Sequence, residues 1–244
     1  MRNLEELSTN AYAPIQSMVY DGWLLQLSMG ATNRANCVYP LYPSKIDLLE
    51  KIDYCEKIFK ENHLKPVFRL VNEERSKELD QILEQRKYQI VHRTKTMTVH
   101  PYYTECDDAY ELKYSDTLSD TWLESYRVLN GLEKDNKEEF MMQLKRTTPH
   151  RLFITLEYEH NVVACASLTF EQDHMAIFDV TVAKELRKQG IGTILIHKIL
   201  NIAYSKNIEQ AYLFVLIDNL SAMHLYKRLG FKEAYSYHYR ILMQ

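Results

Sequence analysis

Apolar positions in the second half of the chain alternate between two rhythms. Ala176-Ile177-Phe178-Asp179-Val180-Thr181-Val182 is dense and β-branched, the pattern of a strand. Ile191, Ile194, Leu195, Ile199, Ile202 and Ala203 then recur at three- and four-residue spacing, which predicts a helix ending near Tyr204. Ala211–Ile217 is a continuous apolar run and reads as a strand buried on both faces. Asp218 or Asn219 is placed to cap a further helix, with Leu220, Met223, Leu225, Tyr226 and Leu229 as packing candidates. Gly230 ends that helix and Phe231 begins a last strand.

The first half has the same cadence. Gly22–Leu27 and Ala35–Tyr39 read as strands, and Ser44 with Asp47 resembles a capping box opening a helix through Leu48, Leu49, Ile52, Cys55 and Phe59. Pro66–Val71 is a predicted strand, Glu73–Lys87 a helix with Leu79, Ile82 and Leu83 inward, and Tyr88–Val99 another strand. Phe68-Arg69-Leu70-Val71 parallels Leu213-Phe214-Val215-Leu216, and Ile82–Tyr88 parallels Leu225–Phe231, with Leu83 standing where Tyr226 stands. This order reads as an internal repeat; chance likeness between two segments of similar element order is the open alternative.

Composition narrows the setting. The chain has 244 residues, 46% hydrophobic, enough for two modest domains or one elaborated domain. A net charge of −3 and a pI near 6.3 give no basic footprint for nucleic acid or a bilayer surface. No apolar stretch reaches membrane-spanning length, and Met1-Arg2-Asn3-Leu4-Glu5-Glu6 does not resemble a signal peptide. Cys37, Cys55, Cys106 and Cys165 are scattered without a Cys-x-x-Cys pair, which suits a reduced cytoplasmic protein. The nine histidines show no metal spacing with them, so no metal site is expected.

The chemistry concentrates in Arg187-Lys188-Gln189-Gly190-Ile191-Gly192. The chain has six glycines, and two fall here, one residue apart, between a strand and a helix. Such a turn converges backbone N–H groups on an anion at a helix start, where the dipole and the Arg187 and Lys188 charges favour phosphate. Gly192 is followed by Thr193-Ile194-Leu195. That lacks both the Gly-Lys-Ser/Thr ending of a nucleotide-hydrolysing P-loop and the third glycine of a dinucleotide fold.

The order strand, Arg-x-x-Gly-x-Gly, helix, strand, Asn-x-x-Ala-x-x-x-Tyr, Gly-Phe resembles the GNAT family of acyl-CoA-dependent N-acetyltransferases. Val182, Arg187, Gly190, Gly192, Asn219, Ala222, Tyr226, Gly230 and Phe231 carry the likeness, over roughly residues 110–244. It implies an α/β (α+β) GNAT fold, a mixed central sheet flanked by helices. It also implies a degenerate GNAT-like domain at 1–105, with no glycine cradle before its first helix, and a catalytic domain at 106–244. Gly22-Trp23-Leu24-Leu25 with Arg34-Ala35-Asn36-Cys37-Val38 likewise resembles tandem bacterial members.

By the same resemblance the cofactor is acetyl-CoA, and its pyrophosphate lies on the backbone of Gln189, Gly190, Ile191, Gly192 and Thr193, with Arg187 and Lys188 adding charge. Val180, Thr181 and Val182 form the splayed strand that meets the pantetheine, and Asn219 either caps its helix or touches that arm. Tyr226 matches the acid that protonates the departing sulfur. An ammonium acceptor must lose a proton; Asp179 is the first candidate base, with a strand carboxylate tied to a lysine as the equal alternative. Glu171, Asp173 and His174 sit in a turn upstream.

The resemblance implies an acceptor that is an amine of a small molecule or peptide. Thr117–Asn130 and Lys134–Arg146 match the two helices that wall its site, and Glu133, Asp135, Glu138 and Glu139 are either an attraction for a cation or a solvated face. Trp122 and Tyr126, spaced for one face, read as core rather than as a substrate clamp. Tyr235, Tyr237 and Tyr239 alternate along the last strand, as an inter-half contact, a homodimer seam or an acceptor wall. The competing class is a non-catalytic acyl-CoA sensor, which needs the cradle but not Tyr226.

Overall fold

The computed structural model describes residues 2–30, 32–131, 141–142, 144–146 and 148–243. Chain order is α1 (Arg2–Asn10), β1 (Gln16–Tyr20), β2 (Trp23–Leu27), β3 (Val38–Pro40), α2 (Leu48–Glu61), β4 (Val67–Val71), α3 (Lys77–Gln85) and β5 (Tyr88–Val99). The second half follows with β6 (Tyr110–Ser115), α4 (Asp120–Asn130), β7 (His150–Tyr158), β8 (Asn161–Glu171), β9 (His174–Val182), α5 (Ile191–Ser205), β10 (Gln210–Leu216), α6 (Leu220–Arg228) and β11 (Lys232–Leu242). The fold is mixed α/β, as expected. No described helix is long and apolar enough to cross a membrane.

All eleven strands form one sheet in the order β1-β2-β3-β4-β11-β5-β10-β9-β8-β7-β6. Its centre is an exchange. β5, from the first half, lies antiparallel against β10 of the second, with Ala211 opposite Val99 and Leu216 opposite Thr94. β11, from the second half, lies antiparallel against β4 of the first, with Tyr237 opposite Val71 and Ile241 opposite Val67. β5 and β11 also pair with each other along their length.

Strand alternation sorts the core by face. Phe68 and Leu70 of β4 pack with Ile52, Cys55 and Phe59 of α2 and Leu79 and Leu83 of α3. Ile177 of β9 and Leu213 of β10 pack with Leu195, Ile196 and Ile199 of α5 and Tyr226 of α6. On the opposite face Phe178, Tyr212, Val67 and Val71 meet Leu4, Leu7 and Ala11. Tyr235, Tyr237 and Tyr239 lie buried in that cluster, so the aromatic side of β11 is an inter-half contact.

α1 is fixed there by charge. Arg69, 1% exposed, places Nη2 2.6 Å from Glu5 Oε1, and its guanidinium lies 3.7 Å over the Tyr237 ring. The Tyr235 hydroxyl also donates to Glu5 Oε1.

Three local expectations are corrected. Ala35 and Cys37 are not strand residues: Asn33–Ala35 is a 3-10 turn, and the strand is only Val38–Pro40. Side chains outcompete the ladder here, since Arg34 N donates to Thr32 Oγ1 and Asn36 Nδ2 donates to Thr32 O. Ser44 does not cap α2; Asp47 accepts from Leu49 N and Glu50 N, while Ser44 Oγ donates to Asp21 O and accepts from Lys51 Nζ. The helix expected over 73–87 divides into a 3-10 turn, Glu74–Ser76, and α3. Of the helix expected over Lys134–Arg146, the acidic residues Asp135, Glu138 and Glu139 lie outside the described residues, as does Glu133 just before it.

Removing one partner of a buried ion pair strands the other charge. Glu5→Ala is therefore expected to lower the unfolding free energy by about 3–5 kcal/mol, read from denaturant titration. A loss below about 1 kcal/mol would mean the pair is as weak as a surface one.

Candidate active site

β9 and β10 run parallel from Gln210 opposite His174 to Leu213 opposite Ile177, and there the pairing stops. The cause lies on the other edge of β9. Cys165 of β8 faces Thr181 while Ser167 faces Phe178, so one extra residue is inserted on β9. Asp179 takes up the insertion at φ 55°, in the left-handed region. A bulge increases twist and re-aims the strand, and Val180–Val182 swing away from Phe214–Leu216.

The gap opens into a cleft of about 1260 Å³ lined by both strands, the α5 start and α6. Backbone groups on its two inner edges have no ladder partner.

The α5 start has the geometry of an anion cradle. Gly190 is the N-cap at φ 89°, Lys188 precedes it at φ 64°, and Thr193 N and Ile194 N both donate to Gly190 O, at 2.8 and 3.1 Å. Gln189, Gly190, Ile191 and Gly192 N–H groups donate to no described acceptor. They are the orphan donors of a helix start, at the positive end of its dipole.

Gly192 does a different job from Gly190. A Cβ there would stand 3.1 Å from Leu225 Cδ2, so its missing side chain lets α6 pack against the start of α5. Ile191 lends only its backbone, since its side chain is core, and the Gln189 side chain turns away to donate to Glu185 O at 3.1 Å.

Arg187 and Lys188 line the cleft and are exposed, Arg187 Nε donating to Val182 O at 3.1 Å. Two cations that sequence reasoning passed over join them. Lys227 and Arg228, in the last turn of α6, also line the cleft, and Arg228 Nη2 donates to Thr193 Oγ1 at 2.8 Å.

Asn219 caps α6, accepting from Ala222 N at 3.1 Å, and also lines the cleft. Tyr226 is 6% exposed and borders the cleft, its ring against Phe231. Its hydroxyl bonds to no described residue, and burial pushes its pKa up to about 12.

Asp179 lines the far end, accepting at Oδ2 from Ser167 Oγ at 2.6 Å. No described lysine pairs with it. Its carboxylate is felt by a buried cluster: burial first, then Asp179, raises Tyr12 to about 12 and pushes Tyr126 well up. Burial draws the Arg151 guanidinium down while Asp179 opposes that.

Thr181 Oγ1 donates to Asn130 Oδ1 at 3.3 Å, and both residues line the cleft with Tyr126. Trp122 is core, stacked 5.3 Å from Tyr126, its Nε1 donating to Ile154 O and Ala166 O on β7 and β8. Glu171, Asp173 and His174 lie at the opposite end of β9 and line no part of the cleft.

This arrangement suits a long phosphorylated ligand: a cradle of unpaired N–H groups ringed by cations at one end, strand edges along the middle, a protonated phenol beside it. The family model for the acetyltransferase (GNAT) family matches residues 109–231, which contain every one of these elements. The chain belongs to the GNAT family.

Similar proteins span almost all of it. An uncharacterized N-acetyltransferase of Bacillus subtilis (strain 168), YobR, is 24% identical, covering 99% of this chain and 98% of the relative. A GCN5-related N-acetyltransferase from Kribbella flavida superposes with a TM-score of 0.69 at 15% identity, covering 98% of this chain and 92% of its own. A tandem GNAT protein from the clavulanic acid biosynthesis pathway superposes at 0.67 and 11% identity, covering 98% and 87%. The GNAT fold and acetyltransferase membership are thus established for this chain.

A β-branched side chain at φ 89° carries strain of about 1–3 kcal/mol in the turn that presents the cradle. Gly190→Val is expected to weaken coenzyme A binding by about tenfold or more in calorimetry, with an unchanged far-UV spectrum. Unchanged affinity would place the phosphate elsewhere.

Proposed function

We propose that the protein is an acetyl-CoA-dependent N-acetyltransferase that acetylates a primary amine of a small molecule or peptide by direct attack on the thioester. The observation that carries this reading is the cleft itself, with unpaired N–H donors at one end and an unbonded, protonated Tyr226 hydroxyl and the Asp179 carboxylate further in.

Acetyl-CoA supplies the activated acyl carbon. The Gln189–Gly192 N–H groups hold its pyrophosphate, with charge from Arg187, Lys188, Lys227 and Arg228. The freed inner edge of Val180–Val182 orients the pantetheine and offers an N–H to the polarised carbonyl. Asp179 keeps Oδ2 on Ser167 and presents Oδ1 to take a proton from the incoming ammonium. Tyr226 holds a proton at its phenolic oxygen for the leaving sulfur. A sensor needs the cradle but not a phenol beside it, so Tyr226 at the cleft favours catalysis over the binding-only reading.

Residues 106–244 are assigned the chemistry and 1–105 the degenerate role. Two features support this: α2 begins on the Asp47 carboxylate, which occupies Leu49 N and Glu50 N, and Leu83 is fully buried. An anion is repelled from such a helix start.

Thiol release from acetyl-CoA over a panel of amines tests the proposal; tight cofactor binding with no turnover on any amine would support a sensor. Tyr226→Phe is expected to lower kcat by about 10²–10⁴-fold. Because a pKa near 12 keeps the phenol protonated throughout, the wild-type and variant profiles should run parallel from about pH 6 to 10. A loss confined to the alkaline side would assign the ionisation elsewhere.

A further inference from the structure

Arg34 comes from the first half, on the turn before β3, and lines the same cleft. Its backbone is fixed: Arg34 N donates to Thr32 Oγ1, and Arg34 O accepts from the Tyr39 hydroxyl at 2.7 Å. Its guanidinium lies 4.7 Å from the Tyr12 ring, 5.4 Å from Phe178 and 5.9 Å from Phe214.

Those rings hold the cation, but nothing neutralises it by contact. Nε is buried without a hydrogen-bond partner, and no described carboxylate forms an ion pair with the group. The Asp179 carboxylate favours the Arg34 charge through space but makes no ion-pair contact with it, so the guanidinium fork is left without a described carboxylate partner.

Its place in the cleft says what would meet it. Ile177 and Leu213 face the helices that carry the cradle and Tyr226, whereas Phe178 and Phe214 face the other side of the sheet. Arg34, seated on those two phenylalanines, reaches the strand parting from the face opposite the cofactor helices. That face is the one the cofactor helices leave open to a second substrate meeting a thioester held between the strands. The next residue on β9 after Phe178 is Asp179, so a carboxylate for an ammonium and a guanidinium for an anion border one mouth.

We propose that Arg34 binds the carboxylate of the acceptor, and that the acceptor is a zwitterion whose amine meets Asp179 while its carboxylate meets Arg34. Arg151, the second guanidinium near Tyr12 and Phe178, donates to Ala11 O and lines no part of the cleft, so Arg34 alone of the two faces the acceptor. One guanidinium matches one negative charge, and the nearby Asp179 repels a dianion more than a carboxylate. Arg34 is a specificity residue supplied by the half that lacks the cradle. The assignment rests on the amine acetyltransferase reading above and names the substrate class for the same site.

The test uses the full chain, acetyl-CoA and matched acceptors that differ in one group: lysine against cadaverine, β-alanine against propylamine, phosphoethanolamine against ethanolamine. The carboxylated member is expected to win by about tenfold or more in kcat/KM. Arg34→Gln is expected to raise KM for that member by about tenfold and erase the preference, with KM for acetyl-CoA and the thermal midpoint unchanged. Arg34→Lys, which keeps the charge but not the fork, should restore part of it.

Equal rates within the carboxylate pairs, a preference for phosphoethanolamine, or a preference that survives Arg34→Gln would each overturn the assignment while leaving the transferase reading intact. If no amine is acetylated, that reading fails instead. Calorimetry of lysine and cadaverine on the protein with coenzyme A then decides: lysine binding lost in Arg34→Gln upholds the carboxylate site, and no lysine binding overturns it.

Discussion

The parting of β9 from β10 beyond Ile177 and Leu213 is the constraint on which the rest of the molecule depends. Parallel neighbours keep their ladder unless something spoils the register, and the extra residue at Asp179 does so. Backbone donors and acceptors freed inside a fold must find partners. A ligand threaded between the strands is one solution, and both ends of the gap are equipped for it. The α5 start brings unpaired N–H groups to one end, and the Asp179 cluster brings charge to the other. A left-handed aspartate in a strand is costly, and its cost is tolerated where it creates the opening.

Much of the second half was legible because its elements are local. β9, α5, β10 and α6 lie within a few residues of where the apolar rhythm puts them, and Gly190 sits at the positive φ that its place before a helix suggests. What escaped depends on distant contacts. Gly192 is a glycine because Leu225 lies 3.1 Å from where its Cβ would be. Asp179 within a β-branched run carries no mark of a bulge, although aspartate tolerates the left-handed region better than its neighbours. The exchange of β5 and β11 is a pairing choice between two similar terminal strands, and periodicity says nothing about partners. α1 does carry a sequence signal, Leu4, Leu7 and Ala11 on one face, but Glu5 beside them has meaning only once Arg69 is folded against it.

Arg34 shows a different limit. Its stretch alternates enough to suggest a strand, but Thr32 and Asn36 satisfy the local backbone themselves and leave a turn. The arginine is displayed over aromatic rings from β9 and β10, far away in sequence. Only the folded sheet brings them together.

The exchanged strands make the first half part of the scaffold of the cleft. β10 forms one wall of the cleft, and along its other edge it is bonded to β5, from Leu216 opposite Thr94 to Ala211 opposite Val99. Without residues 88–99 that wall would be an exposed sheet edge, free to move against β9 or to pair elsewhere. β11 is held in turn by β4, and its tyrosines are sealed by α1 through Arg69 and Glu5. The α2 start carries an acidic cap where the α5 start carries unpaired N–H groups, so the two helix starts differ in electrostatics. The unpaired N–H groups thus belong to one half and the brace for the cleft wall to the other, with β5 and β11 each locked between strands of the opposite half.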